Sequence, residues 1–107
     1  DLSSCTDPQK FQRRPAAPRD PLRRAMAGEI RRTLARTLVD EHVGTYARGL
    51  EIAQHQLEAA RVVGDLSLLA LAQYRVAVFQ EKLGQYKEAT ASWTASYRDA
   101  SISGYED

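Results

Sequence analysis

An all-α fold of antiparallel helix hairpins is what this chain of 107 residues predicts. Three observations carry that reading. All four prolines, Pro8, Pro15, Pro18 and Pro21, fall at or before position 21. From there on, apolar residues recur at helical rather than alternating spacing. Single glycines beside small polar or acidic residues interrupt the pattern at Gly44, Gly64, Gly84 and Gly104.

Each element follows in order. Proline removes a backbone donor and disfavours helix at the residue before it, so residues 1–20 are expected to form an extended, flexible leader. Asp20-Pro21 reads as an N-cap followed by proline at the first helical position. The first helix is expected over about 21–42, with Leu22, Met26, Ile30, Leu34 and Leu38 spaced four apart on one stripe. Gly44 ends it, and Thr45 is placed to cap the second helix. That helix is expected over about 46–63 and carries Tyr46, Leu50, Ala53, Leu57 and Ala60. Gly64-Asp65 stops it and starts the third, about 66–82, with Leu66, Leu69, Ala70, Tyr74, Ala77 and Val78. Gly84 ends the third. The fourth is expected over about 86–101, with Tyr86, Ala89, Trp93, Ser96, Tyr97 and Ala100. Ser103-Gly104 is expected to close it, leaving 105–107 as a tail. A glycine just past a helix end supplies the left-handed turn that other residues resist. Links this short force consecutive helices into antiparallel hairpins.

The punctuation repeats at a spacing of 40. Glu41 aligns with Glu81, Gly44 with Gly84, Tyr46 with Tyr86, Ala60 with Ala100 and Gly64 with Gly104. Similar residues join them: Leu38 with Val78, Val39 with Phe79, Val43 with Leu83, Gly49 with Ala89, and Leu57 with Tyr97. Self-similarity at such a period is the mark of stacked units. Residues 21–104 are therefore read as one domain of two repeats, about 26–64 and about 66–104. Close helix crossings need small residues, and Gly49, Ala77 and Ala89 provide them. The aromatic just after each turn, Tyr46 or Tyr86, is expected to fill the wedge between the helices. Tyr74, Phe79, Trp93 and Tyr97 are expected to fill wider gaps.

On these residues the chain resembles the tetratricopeptide repeat family. Residues 70–97, ALAQYRVAVFQEKLGQYKEATASWTASY, carry the likeness. Lys82-Leu83-Gly84-Gln85-Tyr86-Lys87-Glu88-Ala89 looks like the family's inter-helix turn and the small residue that follows it. Trp93 stands at the large aromatic position one turn on, and Ala77 at the small position of the first helix. The earlier unit, 30–63, keeps Gly44, Tyr46 and Gly49, and residues 57–65, LEAARVVGD, look like the helix end of the long-period variant. Thr33 and Arg36 stand where the family usually has large apolar residues, Ser96 replaces the common alanine, and the carboxylate-clamp pattern of Asn and Lys is absent. The resemblance implies a short right-handed α-solenoid whose concave face takes a peptide.

Composition narrows the function classes. Formal net charge is only +1, but it is unevenly placed. Residues 1–36 hold nine Lys or Arg against four Asp or Glu, and residues 37–107 hold six against ten. Arg13, Arg14, Arg19, Arg23, Arg24, Arg31, Arg32 and Arg36 could contact phosphates. Acidic residues interrupt the run, however, and on a helix Arg23, Arg24, Arg31 and Arg32 fall opposite the Met26-Ile30-Leu34 stripe. A solvated face accounts for them, and nucleic acid is the lesser alternative. Cys5 is the one cysteine and has no partner for an internal disulfide. No apolar run nears the roughly 18 residues that span a membrane, and no signal peptide is evident. A cytoplasmic location is the expectation.

No site of chemistry is legible. His42 and His55 lack the further ligands that a zinc site needs. There is no nucleophile elbow, and the glycines never fall in a phosphate-loop order. Asp40-Glu41 and Glu106-Asp107 read as solvated charge. The chain is expected to be a non-enzyme without cofactor or metal. It is read as an interaction module, an adaptor or scaffold that docks a peptide or helix of a partner protein. The first helix of each hairpin lines a concave face. By the resemblance, Arg31, Leu34, Leu38, Glu41 and His42 from the first helix, with Leu71, Tyr74, Arg75, Val78 and Lys82 from the third, are the candidate contacts. Such a mixture suits a partner with acidic and apolar positions. A regulatory or dimerisation domain of a larger signalling or transcription protein would present the same pattern. Because two repeats are few for a free-standing solenoid, a longer array, a homodimer or a leader folded over the groove are the ways to complete it.

Overall fold

The computed structural model describes residues 20–106. The leader expected over 1–20 therefore lies outside the described residues except for Asp20, as do Cys5 and Asp107. Four helices follow in chain order: α1 over Pro21–Val43, α2 over Tyr46–Val63, α3 over Leu66–Lys82 and α4 over Tyr86–Glu106. The described residues form no strand.

Local chemistry sets the boundaries. Asp20 has extended backbone, and its carboxylate accepts from the Leu22 N–H at 3.0 Å, with Pro21 opening the helix. Gly44, at φ 88°, and Gly64, at φ 78°, turn the chain left-handed at the ends of α1 and α2. Their N–H groups donate to the carbonyls of Asp40 and Ala60, satisfying helix ends that a residue with a Cβ would satisfy only under strain. Asp65 then caps α3, accepting from Ser67 N at 3.0 Å and Leu68 N at 3.4 Å. Thr45 is a correction to the sequence reading. It precedes α2 but makes no side-chain cap, because its hydroxyl donates back to Asp40 Oδ1 at 2.6 Å.

Gly104 is a second correction. The chain does not turn there; α4 runs past the expected end near 101 to Glu106, and only Gly44, Gly64 and Gly84 have positive φ among the described residues. A helical glycine terminates a helix only when the backbone takes the left-handed turn, and Gly104 does not. The punctuation that repeats at a spacing of 40 is thus Gly44 with Gly84, without Gly64 and Gly104 as true equivalents.

The helices stack in order. α1 packs on α2, α2 on α3 and α3 on α4, and α1 also meets α3; among the described residues α4 packs on α3 alone. α3 is consequently covered nearly all round, with Ala70, Ala72, Gln73 and every residue from Arg75 to Gln80 buried. Its core partners are Ala27, Ile30 and Leu34 from α1 and Ala53, Ala60 and Val63 from α2. The fully buried Phe79 ring lies where a Cβ on Gly49 would be, so the α2–α3 crossing depends on glycine at that position. The α3–α4 seam is built from small and polar residues. Ala89, Ser96, Asp99 and Ser103 are buried there, Ser96 Oγ donates to the Ala70 carbonyl at 2.7 Å, and Ser92 Oγ bonds Gln80 Oε1 at 2.7 Å.

The apolar stripe of α1 is narrower than its sequence spacing indicates. Leu22 and Leu38 are 67% and 56% exposed. A step of four residues advances about 40° around an α-helix, so five such positions spread over roughly 160°. The face that is buried instead runs Ala27, Ile30, Leu34, Thr37. The aromatics of α4 differ from expectation as well: Tyr86 is 67% and Tyr97 79% exposed, so neither fills a gap within the domain. Tyr46, the first-repeat equivalent of Tyr86, does pack against the core.

Candidate functional site

The first helices of the two hairpins, α1 and α3, lie side by side, and a groove of about 280 Å³ runs between them. Arg31, Leu34, Ala35 and Leu38 line it from α1, and Leu71, Tyr74 and Arg75 from α3. Six of the ten candidate contacts meet here: Arg31, Leu34, Leu38, Leu71, Tyr74 and Arg75. Glu41, His42, Val78 and Lys82 are not in the lining. His42 and Lys82 are exposed near helix ends, and Val78 is buried.

The lining separates into floor and rim. Leu34, at 1% exposed, belongs to the core and closes the floor. Leu38 and Tyr74, at 56% and 42%, present apolar surface to solvent, with Leu71 half-buried between them and Ala35 exposed. Arg31 stands at one end with its side chain 43% exposed. Its guanidinium reaches Asp65 Oδ2 at 3.7 Å and Ser67 Oγ at 3.5 Å, both long contacts that leave it able to turn toward a ligand.

Arg75 lines the groove and is also held by partners within the chain. It is 5% exposed, and two of its nitrogens are engaged within the chain. Nε donates to Thr37 Oγ1 at 3.1 Å, and the guanidinium pairs with Glu41 Oε1 at 2.9 Å. Thr37 in turn donates to the Leu34 carbonyl, so its hydroxyl is used both ways. The guanidinium carbon also lies 5.2 Å from the Phe79 ring centroid and 6.0 Å from that of Tyr74. Arg75 therefore ties α1 to α3 beneath the groove and sets its width. Glu41, also a candidate contact, is the partner in this tie.

Two features escaped the sequence reading. Thr37 on the buried face of α1 is one; a polar residue on the core stripe, one turn before Glu41, is the signal that α3 must supply a donor. The other is the edge-to-face contact of Tyr74 with Trp93, ring centroids 5.1 Å apart at 75°, which carries the apolar surface from α3 onto α4.

A second hollow, of about 640 Å³, opens between α1 and α2. Its walls mix Arg36, Asp40, Arg48 and His55 with Val39, Val43 and Ile52, and Arg48 reaches Asp40 at 3.6 Å across it. The arginines of α1 have partners close by: Arg23 donates to the carbonyls of Val62 and Val63 at the end of α2, while Arg32 and Arg36 both reach Glu29. Among the described residues no group of three or more His, Cys, Asp or Glu side chains could hold a metal ion. No described helix is long and apolar enough to cross a membrane. In comparisons with known proteins, no family model, no curated protein and no solved structure matches this chain.

Proposed function

We propose that this chain is a protein-interaction module of the tetratricopeptide-like kind, in which the α1–α3 groove docks a short segment of a partner protein. The supporting observation is the groove itself. Leu38, Leu71 and Tyr74 offer apolar surface on rigid helices, and a cationic side chain, Arg31, stands at one end. At about 280 Å³ the groove is at or below the roughly 300–1,000 Å³ of small-molecule pockets. It fits the anchoring side chains of a peptide better than an enclosed ligand. The complementary segment carries one or two aliphatic or aromatic residues for the Leu38–Leu71–Tyr74 surface and an acidic residue for Arg31.

Selection of peptides from a random display library on the whole domain tests the proposal. Enriched sequences should combine an apolar anchor with an acidic residue. Tyr74→Ala and Leu38→Glu should each weaken them at least tenfold, as truncation or charging of a central anchor does. Arg31→Ala should reduce both affinity and its salt dependence. Binders indifferent to all three substitutions would overturn the groove as the docking site.

A further inference from the structure

The two hairpins match at a spacing of 40 but differ in what covers them, and the difference defines a surface separate from the groove. On α2 the stripe Tyr46, Leu50, Ala53, Leu57, Ala60 is buried or half-buried, and α3 packs on this helix. The equivalent stripe on α4 is Tyr86, Thr90, Trp93, Tyr97, Ala100. Four of these five are exposed, and Trp93 is half-buried beside Tyr74. Among the described residues, α4 thus carries the counterpart of the α2 stripe with no helix over it.

The reciprocal surface lies at the other end of the molecule. Leu68, Ala72, Val76 and Phe79 of α3 are all buried in the core. Their equivalents on α1 are Gly28, Arg32, Arg36 and Val39. Arg32 and Arg36 are exposed, Val39 is 64% exposed, and Gly28 is half-buried. Among the described residues, no helix packs on this stripe of α4 or on this face of α1.

We propose that these two surfaces bind each other between copies of the chain, α4 of one molecule packing on α1 of the next as α2 packs on α3 within each molecule. The contact of Phe79 with the Gly49 position sets the antiparallel register of the internal interface. Shifted by 40 residues, that register brings Val39 to the Tyr86–Thr90 end of the stripe. It brings Arg36 to Trp93, Arg32 to Tyr97 and Gly28 to Ala100. The chemistry is complementary. Guanidinium groups stack favourably on tryptophan and tyrosine rings, and glycine opposite alanine permits close approach of the helices. The present partner of both arginines is Glu29, at 3.0 and 3.8 Å on an exposed surface, a kind of pairing that holds weakly. Because the two surfaces differ, the contact is head-to-tail and does not close on itself.

The test is molecular mass against concentration for the whole chain and for two variants with charges on exposed positions, Val39→Glu and Tyr97→Glu. Circular dichroism melts like that of the parent chain establish that each variant folds. The mass of the parent chain should rise with concentration past that of a dimer. Each variant alone should remain monomeric. An equimolar mixture of the two should reach twice the monomer mass and stop, because one variant keeps a working α4 surface and the other a working α1 surface. A parent chain that stays monomeric or stops at a dimer would overturn the proposal. So would a variant that still associates alone, or a mixture that fails to form the dimer. Neither residue lines the α1–α3 groove, so this outcome is independent of the peptide-docking proposal.

Discussion

Phe79→Ala is expected to destabilise the domain by about 3–5 kcal/mol, the range for truncating a fully buried aromatic. That is a large share of the stability a domain of this size has, at roughly 0.05–0.15 kcal/mol per residue. The ring fills the space left by the absent side chain of Gly49, so the two positions are coupled. Gly49→Ala should also destabilise. Alanine is the better helix former by about 1 kcal/mol, but driving a methyl group into a packed ring costs about 1–3 kcal/mol. Gly28→Ala is the control: its new Cβ would meet only the Arg32 guanidinium, at 3.6 Å, so the propensity gain of about 1 kcal/mol should appear unopposed. Urea unfolding of Gly49→Ala, Phe79→Leu and the double variant measures the coupling. The double variant should lose less than the two single losses together. Simple additivity would show that the α2–α3 crossing does not rest on this pair.

Arg75→Ala is expected to cost about 2–4 kcal/mol. Removing one partner of a buried ion pair typically costs about 3–5 kcal/mol, through the charge left behind. Here Glu41 retains 32% side-chain exposure and can turn to water, which lowers the figure. Thr37 and the Phe79 ring lose their contact as well. Because the tie sits beneath the groove, the same substitution should weaken peptide binding even under conditions where the variant remains folded. Arg75→Met with Glu41→Leu should recover most of the stability, since apolar groups of similar volume replace buried pairs at little cost. Loss of stability equal to that of Arg75→Ala in this double variant would indicate that the polar contacts with Glu41 and Thr37, rather than packing, are what Arg75 supplies.

Most of the architecture was legible in the sequence because its signals are local. Asp20-Pro21 and the glycines at 44, 64 and 84 act through neighbouring backbone groups, and helix boundaries follow from them directly. The groove was legible through the repeat, since equivalent helices that stack in register place Leu34 and Leu38 beside Leu71 and Tyr74. What was not legible depends on partners far along the chain. Nothing adjacent to Arg75 shows that Thr37 and Glu41, more than thirty residues earlier, will enclose it. The same holds for Tyr86 and Tyr97. Their spacing matches that of Tyr46 and Leu57, but burial requires a following helix, and spacing alone does not show whether one is there. Gly104 shows the limit of punctuation, because a glycine permits a turn without imposing one.

The most direct test of the central claim is methyl-resolved NMR of the whole domain during titration with a library-selected peptide. Docking in the α1–α3 groove predicts that the Leu38 and Leu71 methyl signals shift with the same saturation curve. Leu22 and Ile102, exposed but outside the groove lining, should stay in place. Shifts confined to Val39 and Val43 beside the α1–α2 hollow, or to Ile102 on α4, with Leu38 and Leu71 unmoved, would contradict it.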